Sequence, residues 1–321
     1  MPDHDVLCFG ETMAMFVADD VGDLAQVGRF GKRIAGADSN VAIGLSRLGF
    51  GVRWISRVGN DSLGRFVLDS LRAEGIDCAD VQVDPTHPTG FQLKARCDDG
   101  SDPVVEYFRR GSAASHMSAS MLDPAWLRAG HLHVTGIPLA LSDGCRGLAQ
   151  ALVSQMRKAG RTLSFDPNLR PTLWPDKQRM ITEINAIAAQ ANWVLPGLEE
   201  GRLLTGRQTP AEIAGFYLDL GVDLVVIKLG EAGAYYRSAN EEGQVAAVPA
   251  PCVVDTVGAG DAFAVGVLSA LLEGQPVEHA VARGNWCGSR AVQSRGDMEG
   301  LPHRQDLAAY ESPQNPEIRT A

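Results

Sequence analysis

The 321 residues exceed a minimal domain and suit one large α/β domain with an appendage. Hydrophobic residues make up 45%, enough for a sizeable core. Lys and Arg number 29 against 39 Asp and Glu, a balance of −10 that lacks the basic footprint of a nucleic-acid surface but leaves room for phosphates held locally by amides and a few cations.

The first five residues, Met1-Pro2-Asp3-His4-Asp5, lack the basic-then-apolar layout of a signal peptide. Val6-Leu7-Cys8-Phe9 predicts a buried strand that ends at Gly10-Glu11-Thr12. Residues 13 to 34 read as further strands and turns. Ala35-Gly36-Ala37-Asp38-Ser39-Asn40 leads into a helical pattern at Val41, Leu45 and Leu48, with Asp38 or Ser39 as an eligible N-cap. A strand at 52–56, a turn at 58–64 and a helix to about residue 74 follow. This strand–helix–strand–helix rhythm implies a parallel sheet with crossovers. Between 77 and 108 the rhythm breaks. Val81-Gln82-Val83 and the stretches 90–96 and 104–108 alternate with period two, the last two separated by the turn Asp98-Asp99-Gly100-Ser101. Alternation predicts an antiparallel sheet with one wet face. Such an insert reads as a lid over a cleft.

The α/β rhythm resumes with strands at 132–134, 162–165 and 193–195 and helices at 142–159 and 176–190. Leu224-Val225-Val226-Ile227-Lys228 is a β-branched central strand, and 234–236 with 245–248 form an antiparallel edge. An apolar helix from about 261 and another at 277–292 close the fold. The chain shows no internal repeat and no dividing linker. Residues 1–312 are therefore expected to be one domain with a lid built mainly from 13–34 and 77–110, and 313–321 a loose polar tail. The six Cys are scattered with no Cys-x-x-Cys pair, so neither zinc nor a redox motif is indicated. No apolar run approaches the ~20 residues of a membrane span. The expectation is a cytoplasmic protein with reduced thiols and no membrane or nucleic-acid partner.

Ligands of open α/β sheets bind beyond the carboxyl ends of the strands. Five such ends carry polar groups: Gly10-Glu11-Thr12, Asp166-Pro167-Asn168-Leu169-Arg170, Pro196-Gly197-Leu198-Glu199-Glu200, Lys228-Leu229-Gly230 and Asp255-Thr256-Val257-Gly258-Ala259-Gly260-Asp261. The last says most. A Gly-Ala-Gly turn entering an apolar helix leaves backbone N–H groups free and presents the positive end of the helix dipole, a site for an anion and above all for phosphate. Asp261 falls in the first helical turn, where a carboxylate would repel that phosphate. The economical reason for it is a general base that takes a proton from a hydroxyl attacking the phosphate. The bland alternative is a Gly-rich loop with Asp261 as a helix-start residue.

These seven residues match Asp-Thr-x-Gly-Ala-Gly-Asp, and on them the chain resembles the ribokinase-like (PfkB) sugar kinases over nearly its whole length. The resemblance implies a three-layer α/β/α core with a mainly parallel central sheet and a small β-sheet lid. It assigns Asp261 as the base and the amides of Gly258, Ala259 and Gly260 as the anion hole. Gly36, Ala37 and Asn40 match the family's sugar-hydroxyl motif Gly-Gly-Ala-x-x-Asn, with Ala35 in place of the first Gly. Glu200 matches the end of Asn-x-x-Glu, which organises Mg²⁺ and its water, with Gly197 in place of the Asn. Lys228, Gly230 and Gly233 match the nucleotide-side Lys-x-Gly-x-x-Gly, and Asn285 is expected on the same side. No Walker A sequence is present, which argues against an ordinary P-loop kinase.

Within the family, three stretches resemble the kinases of 2-keto-3-deoxygluconate: 107–115, 166–174 and 294–300. A carboxylate is best met by a guanidinium's forked donors. Arg109 leaves the lid and Arg170 leaves a strand end, so both are candidates; Arg109 or Arg110 reads alternatively as a solvated lid charge. The lid Tyr that those kinases carry near Gln92 is absent here. The resemblance thus implies ATP- and Mg²⁺-dependent phosphorylation of a sugar acid at its 6-hydroxyl, with Tyr107, Arg109 and Arg170 holding substrate and Arg170 also reaching the γ-phosphate. It further implies a homodimer or higher homo-oligomer built through paired lids. Two alternatives stay open, a fructokinase- or ribokinase-like kinase of a neutral sugar and a catalytically silent binder. The intact Asp261 weighs against the second.

Overall fold

The computed structural model describes residues 4–97 and 103–312. The expected turn at 98–101 and tail at 313–321 lie outside the described residues.

In chain order the strands are β1 (Val6–Phe9), β2 (Met13–Val21), β3 (Phe30–Ala35), β4 (Val52–Ile55), β5 (Arg57–Gly59), β6 (Gln82–Asp84), β7 (Phe91–Arg96), β8 (Val105–Phe108), β9 (His131–Thr135), β10 (Thr162–Asp166), β11 (Trp193–Val194), β12 (Leu224–Lys228), β13 (Ala234–Ser238) and β14 (Glu242–Val245). The helices are α1 (Ala37–Arg47), α2 (Ser62–Ala73), α3 (Gly136–Leu141), α4 (Asp143–Lys158), α5 (Lys177–Ala188), α6 (Leu198–Thr205), α7 (Pro210–Asp219), α8 (Ala259–Leu272), α9 (Val277–Ala291) and α10 (Arg304–Tyr310).

The central sheet runs β14-β13-β12-β11-β10-β9-β1-β4. From β12 to β4 every pairing is parallel, and only β13 and β14 are antiparallel. All four residues of β1 and all five of β9 are buried, as strands covered on both faces must be. One apolar layer joins α1, α8 and α9 through residues such as Val41, Leu45, Val265, Val281 and Trp286. The other joins α4, α5 and α7 through Leu148, Leu152, Ile184, Ile213 and Tyr217. The expected three-layer core is therefore present. Helix α8 is apolar all round and buried from Asp261 to Ala270. Gly266 lets α9 press against it, since a Cβ there would lie 2.6 Å from the Arg283 carbonyl oxygen.

The lid is a four-stranded sheet in the order β3-β2-β7-β8, with β2 and β7 parallel and the outer pairs antiparallel. Its polarity is the reverse of the simple expectation. Gln92 and Lys94 are buried on the cleft side. Phe91 stacks on Phe108 on the other side, and Phe108 is 47% exposed. The strand expected around Val81-Gln82-Val83 does not join the lid. It is β6, paired in parallel with β5 in a separate two-stranded sheet. The short helices α3 and α10 have no counterpart in the sequence reading, because six or seven residues show too few turns for a 3.6-residue period to register.

Candidate active site

The ends of β1, β10 and β12, the turn before α1 and the N-terminus of α8 surround a cavity of about 560 Å³. Lid residues Gln92, Lys94 and Tyr107 roof it. Asp261 lies in its wall, 8% exposed. Asn40 Nδ2 donates to Asp261 Oδ2 at 2.8 Å, and Asn168 Nδ2 donates to Oδ1 at 3.1 Å. Two amides from two other elements thus fix the carboxylate while leaving it lone pairs for a ligand. Burial raises its pKa, against the opposing pull of the Asn40 bond and of the Lys228 and Arg170 charges. An oriented acceptor of raised basicity is suited to taking a proton from a hydroxyl. Asn168 has φ 37°, the one non-glycine at positive φ among the described residues, in a region that Asn tolerates better than most. Asn40 Oδ1 is buried without a hydrogen-bond partner, and a hydroxyl in the cavity could supply one.

Gly258 caps α8 at φ 84°. A Cβ on it would meet the Asp297 carbonyl oxygen at 2.5 Å. Ala259 and Gly260 begin the helix, whose first-turn amides lack intrahelical partners, although Ala259 N already donates to the Thr256 carbonyl at 3.3 Å. The positive φ belongs to Gly258 and not to Gly260. A Cβ on Gly260 would meet only Lys228 Nζ, at 3.7 Å, because that side of the turn opens on the cavity. The two eligible N-caps of α1 are not caps: Gly36 holds that position. Ser39 Oγ donates to the Gly36 carbonyl, and Asp38 Oδ1 accepts from Thr135 N. Asp38 faces the cavity with its pKa raised to about 7 by burial. Gly36 is confined by contact, since a Cβ there would lie 2.4 Å from the Glu11 carbonyl oxygen, and Ala37 lines the cavity beside it.

A second cavity of about 560 Å³ lies across the start of α8, with walls that include Val248, Pro249, Val253, Phe263 and Val292. Lys228 and Gly260 line both cavities, so the start of α8 is their junction. Gly230, Gly233 and Asn285 line the second one. Asn285 Nδ2 donates to the carbonyls of Val245 and Ala246 at 3.1 and 2.9 Å, and so anchors the cavity wall. Lys228 Nζ lies 2.6 Å from Asp166 Oδ2. In the sequence Asp166 and Asn168 stand out only as members of a polar strand end, and no local pattern marks them further.

Arg109 is 9% exposed and is no solvated charge; Arg110 is the exposed one. Arg109 Nε and NH2 donate to Glu11 Oε2 at 2.7 and 2.6 Å, and Ser112 Oγ donates to Oε1. Its guanidinium is therefore held in one orientation at the cavity wall. Arg170 sits at the exposed rim, where NH1 donates to the Leu169 carbonyl at 2.9 Å. Tyr107 is 51% exposed and lines the same cavity. Glu200 uses both oxygens on backbone: it accepts from Leu169 N at 2.7 Å and from Gly197 N at 2.8 Å, tying the 166–170 loop to the start of α6. Among the described residues no group of three or more His, Cys, Asp or Glu is arranged to hold a metal ion. Glu200, with both oxygens taken by backbone amides, would meet a magnesium ion that arrives with phosphates only through the water that ion keeps.

The chain matches the family described as pfkB family carbohydrate kinase over residues 3–304. The chain belongs to this family. A 2-dehydro-3-deoxygluconokinase of Bacillus subtilis (strain 168) is 49% identical over 97% of this chain and 96% of its own. Among solved structures, a PfkB protein from Polaromonas sp. JS666 is 53% identical with a TM-score of 0.89, covering 95% of this chain and 99% of that one. An Escherichia coli protein described as ribokinase II, in complex with ATP and Mg²⁺, is 28% identical with a TM-score of 0.89, covering 96% and 98%. As a PfkB-family kinase the chain is a phosphotransferase, and its two cavities meeting at one helix N-terminus suit two substrates that exchange a phosphoryl group.

Proposed function

We propose that this PfkB-family kinase phosphorylates a sugar acid at the expense of ATP, with 2-keto-3-deoxygluconate as the substrate and its 6-hydroxyl as the acceptor. The observation that carries the sugar-acid reading is Arg109, a guanidinium buried in the wall of the sugar-side cavity and oriented by Glu11. A neutral sugar needs no such cation, whereas a carboxylate gains a charge-assisted pair. The likeness to the Bacillus subtilis enzyme over nearly the whole of both chains supports the same substrate.

In this reading Asp261 accepts the proton of the attacking hydroxyl, and Asn40 and Asn168 hold it in line. The amides of Gly258, Ala259 and Gly260 stabilise charge on the transferring group. Gly36, Ala37, Asn40, Tyr107, Arg109 and Arg170 bind the sugar acid. Lys228, Gly230, Gly233 and Asn285 serve the nucleotide side, with Lys228 at the junction. Glu200 acts on Mg²⁺ indirectly, through the loop it holds. The ion, when bound with ATP, offsets phosphate charge. We further propose a homodimer formed through the exposed outer lid face, and a cytoplasmic setting consistent with the unpaired, mostly buried cysteines.

A neutral-sugar kinase is the second reading, and one observation favours it: Glu11 already neutralises Arg109. Arg109→Lys separates the two, because it keeps a charge beside Glu11 and loses the fork. For a sugar-acid kinase, kcat/KM on 2-keto-3-deoxygluconate should fall about 10- to 150-fold, the equivalent of ~1.5–3 kcal/mol, with fructose little affected. Equal small effects on both sugars would support the neutral-sugar reading.

A further inference from the structure

Lys94 has no part in the chemistry above, yet it is among the most buried charged groups of the molecule, at 2% exposed on lid strand β7. Its Nζ lies 2.6 Å from Asp255 Oδ2 and 3.1 Å from Asp297 Oδ1. Neither carboxylate belongs to the lid. Asp255 opens the seven-residue turn, and its Oδ1 accepts from Val257 N at 3.1 Å. Asp297 lies in the loop after α9, whose main chain packs directly on Gly258. Gly296 N also donates to Asp255 Oδ2, at 3.4 Å. One lid ammonium thus gathers both segments that shape the N-cap of α8. A second lid residue, Arg33 on β3, reaches the same loop through Glu299 and the Arg295 carbonyl.

The arrangement has a consequence for charge. Two carboxylates beside a turn that receives a phosphoryl group would repel it and would themselves be costly to bury unpaired. The ammonium offsets one of the two negative charges, and it does so only while the lid is seated on the turn. A methionine would pack the same space without that effect.

We propose that Lys94 is a positioning residue for phosphoryl transfer: the seated lid delivers an ammonium that orders the 255–258 turn and balances its carboxylates, so the anion hole is complete only under a closed lid. This rests on reading residues 258–260 as the phosphoryl site. The test is steady-state kinetics with Mg-ATP and 2-keto-3-deoxygluconate on wild type, Lys94→Met and Lys94→Met/Asp297→Asn, with folding checked by circular dichroism and thermal melting. Lys94→Met is expected to lower kcat about 10- to 100-fold, in the range of a lost positioning partner, with both KM values within about threefold of wild type. Adding Asp297→Asn restores the local charge to that of wild type and should recover about tenfold or more of the lost kcat. A merely structural lysine would not move kcat apart from KM in folded protein. If Lys94→Met does not fold, the double variant is compared directly with wild type: kcat within about tenfold supports the proposal and a larger loss overturns it. Wild-type kcat in folded Lys94→Met, or no recovery in the folded double variant, overturns the role of Lys94 alone. A wild type that transfers no phosphoryl group overturns the reading of the site and the proposal with it.

Discussion

A carboxylate that is to take a proton must be held in place, and Asp261 is held by two amides. Asp261→Asn keeps the shape of the side chain and removes the acceptor. It should lower kcat by at least the ~10²-fold typical of a lost general base, while the melting temperature holds or rises because a buried charge is gone. A coupled ADP-release assay and a thermal melt on the same sample check both halves. The two glycines of the turn should fail differently. Gly258→Ala puts a Cβ against the Asp297 carbonyl at a positive φ, so stability should drop by ~1–3 kcal/mol. Gly260→Val meets little but Lys228 Nζ, so the protein should fold normally, yet lose activity because the side chain fills the junction of the cavities. Normal turnover in folded Gly260→Val would remove the turn from the mechanism. The turn was legible because its seven residues are adjacent. Asn168 and Lys94 were not, because their partners lie 93 and 161 residues away in the chain. Such pairings depend on tertiary structure that no local pattern carries.

Among the elements, the lid shows why alternation alone misleads. Period two says that a strand has two unlike faces, but not which face is buried. Here the polar face of β7 is the inner one, because the cleft is polar, and the aromatic face looks outward. The central strands were legible for the opposite reason: continuous β-branched runs such as β12 have only one sheltered place to go. The seam between β9 and β10 carries a separate expectation. A ring nitrogen of His131 and one of His133 each lie 2.8 Å from Ser164 Oγ. Burial pushes both imidazoles down to about 3, well below the ~6.5 of an unfolded chain. Between those values the unfolded chain binds protons that the folded chain refuses. The stability they contribute is therefore full above pH ~6.5 and is lost as pH falls toward 3. Asp38, Asp166 and Asp297 act in the opposite sense, since burial raises them to about 7, 6 and 6, and they favour the fold as pH falls from 7 toward 4. His133→Gln isolates one imidazole. Its deficit in melting temperature against wild type should be largest near pH 7.5 and should shrink by pH 5. A constant deficit would mean that the imidazole titrates alike in both states.

The whole molecule is a sheet with covered faces, a polar cleft and an outer lid face on which Phe108 is 47% exposed. If two lids pair, the wild type should sediment as a dimer of the 34.2 kDa chain, and Phe108→Glu should sediment as a monomer. A monomeric wild type at micromolar concentration would leave the outer lid without that role. The central claim is that the cleft phosphorylates a sugar acid. The most direct measurement gives wild-type enzyme Mg-ATP with 2-keto-3-deoxygluconate or with fructose, compares kcat/KM, and locates the new phosphate by phosphorus and carbon nuclear magnetic resonance. A sugar-acid kinase should show a clear preference for the acid and phosphate on its 6-oxygen. Preference for fructose, or phosphate at another oxygen of the acid, would contradict that claim.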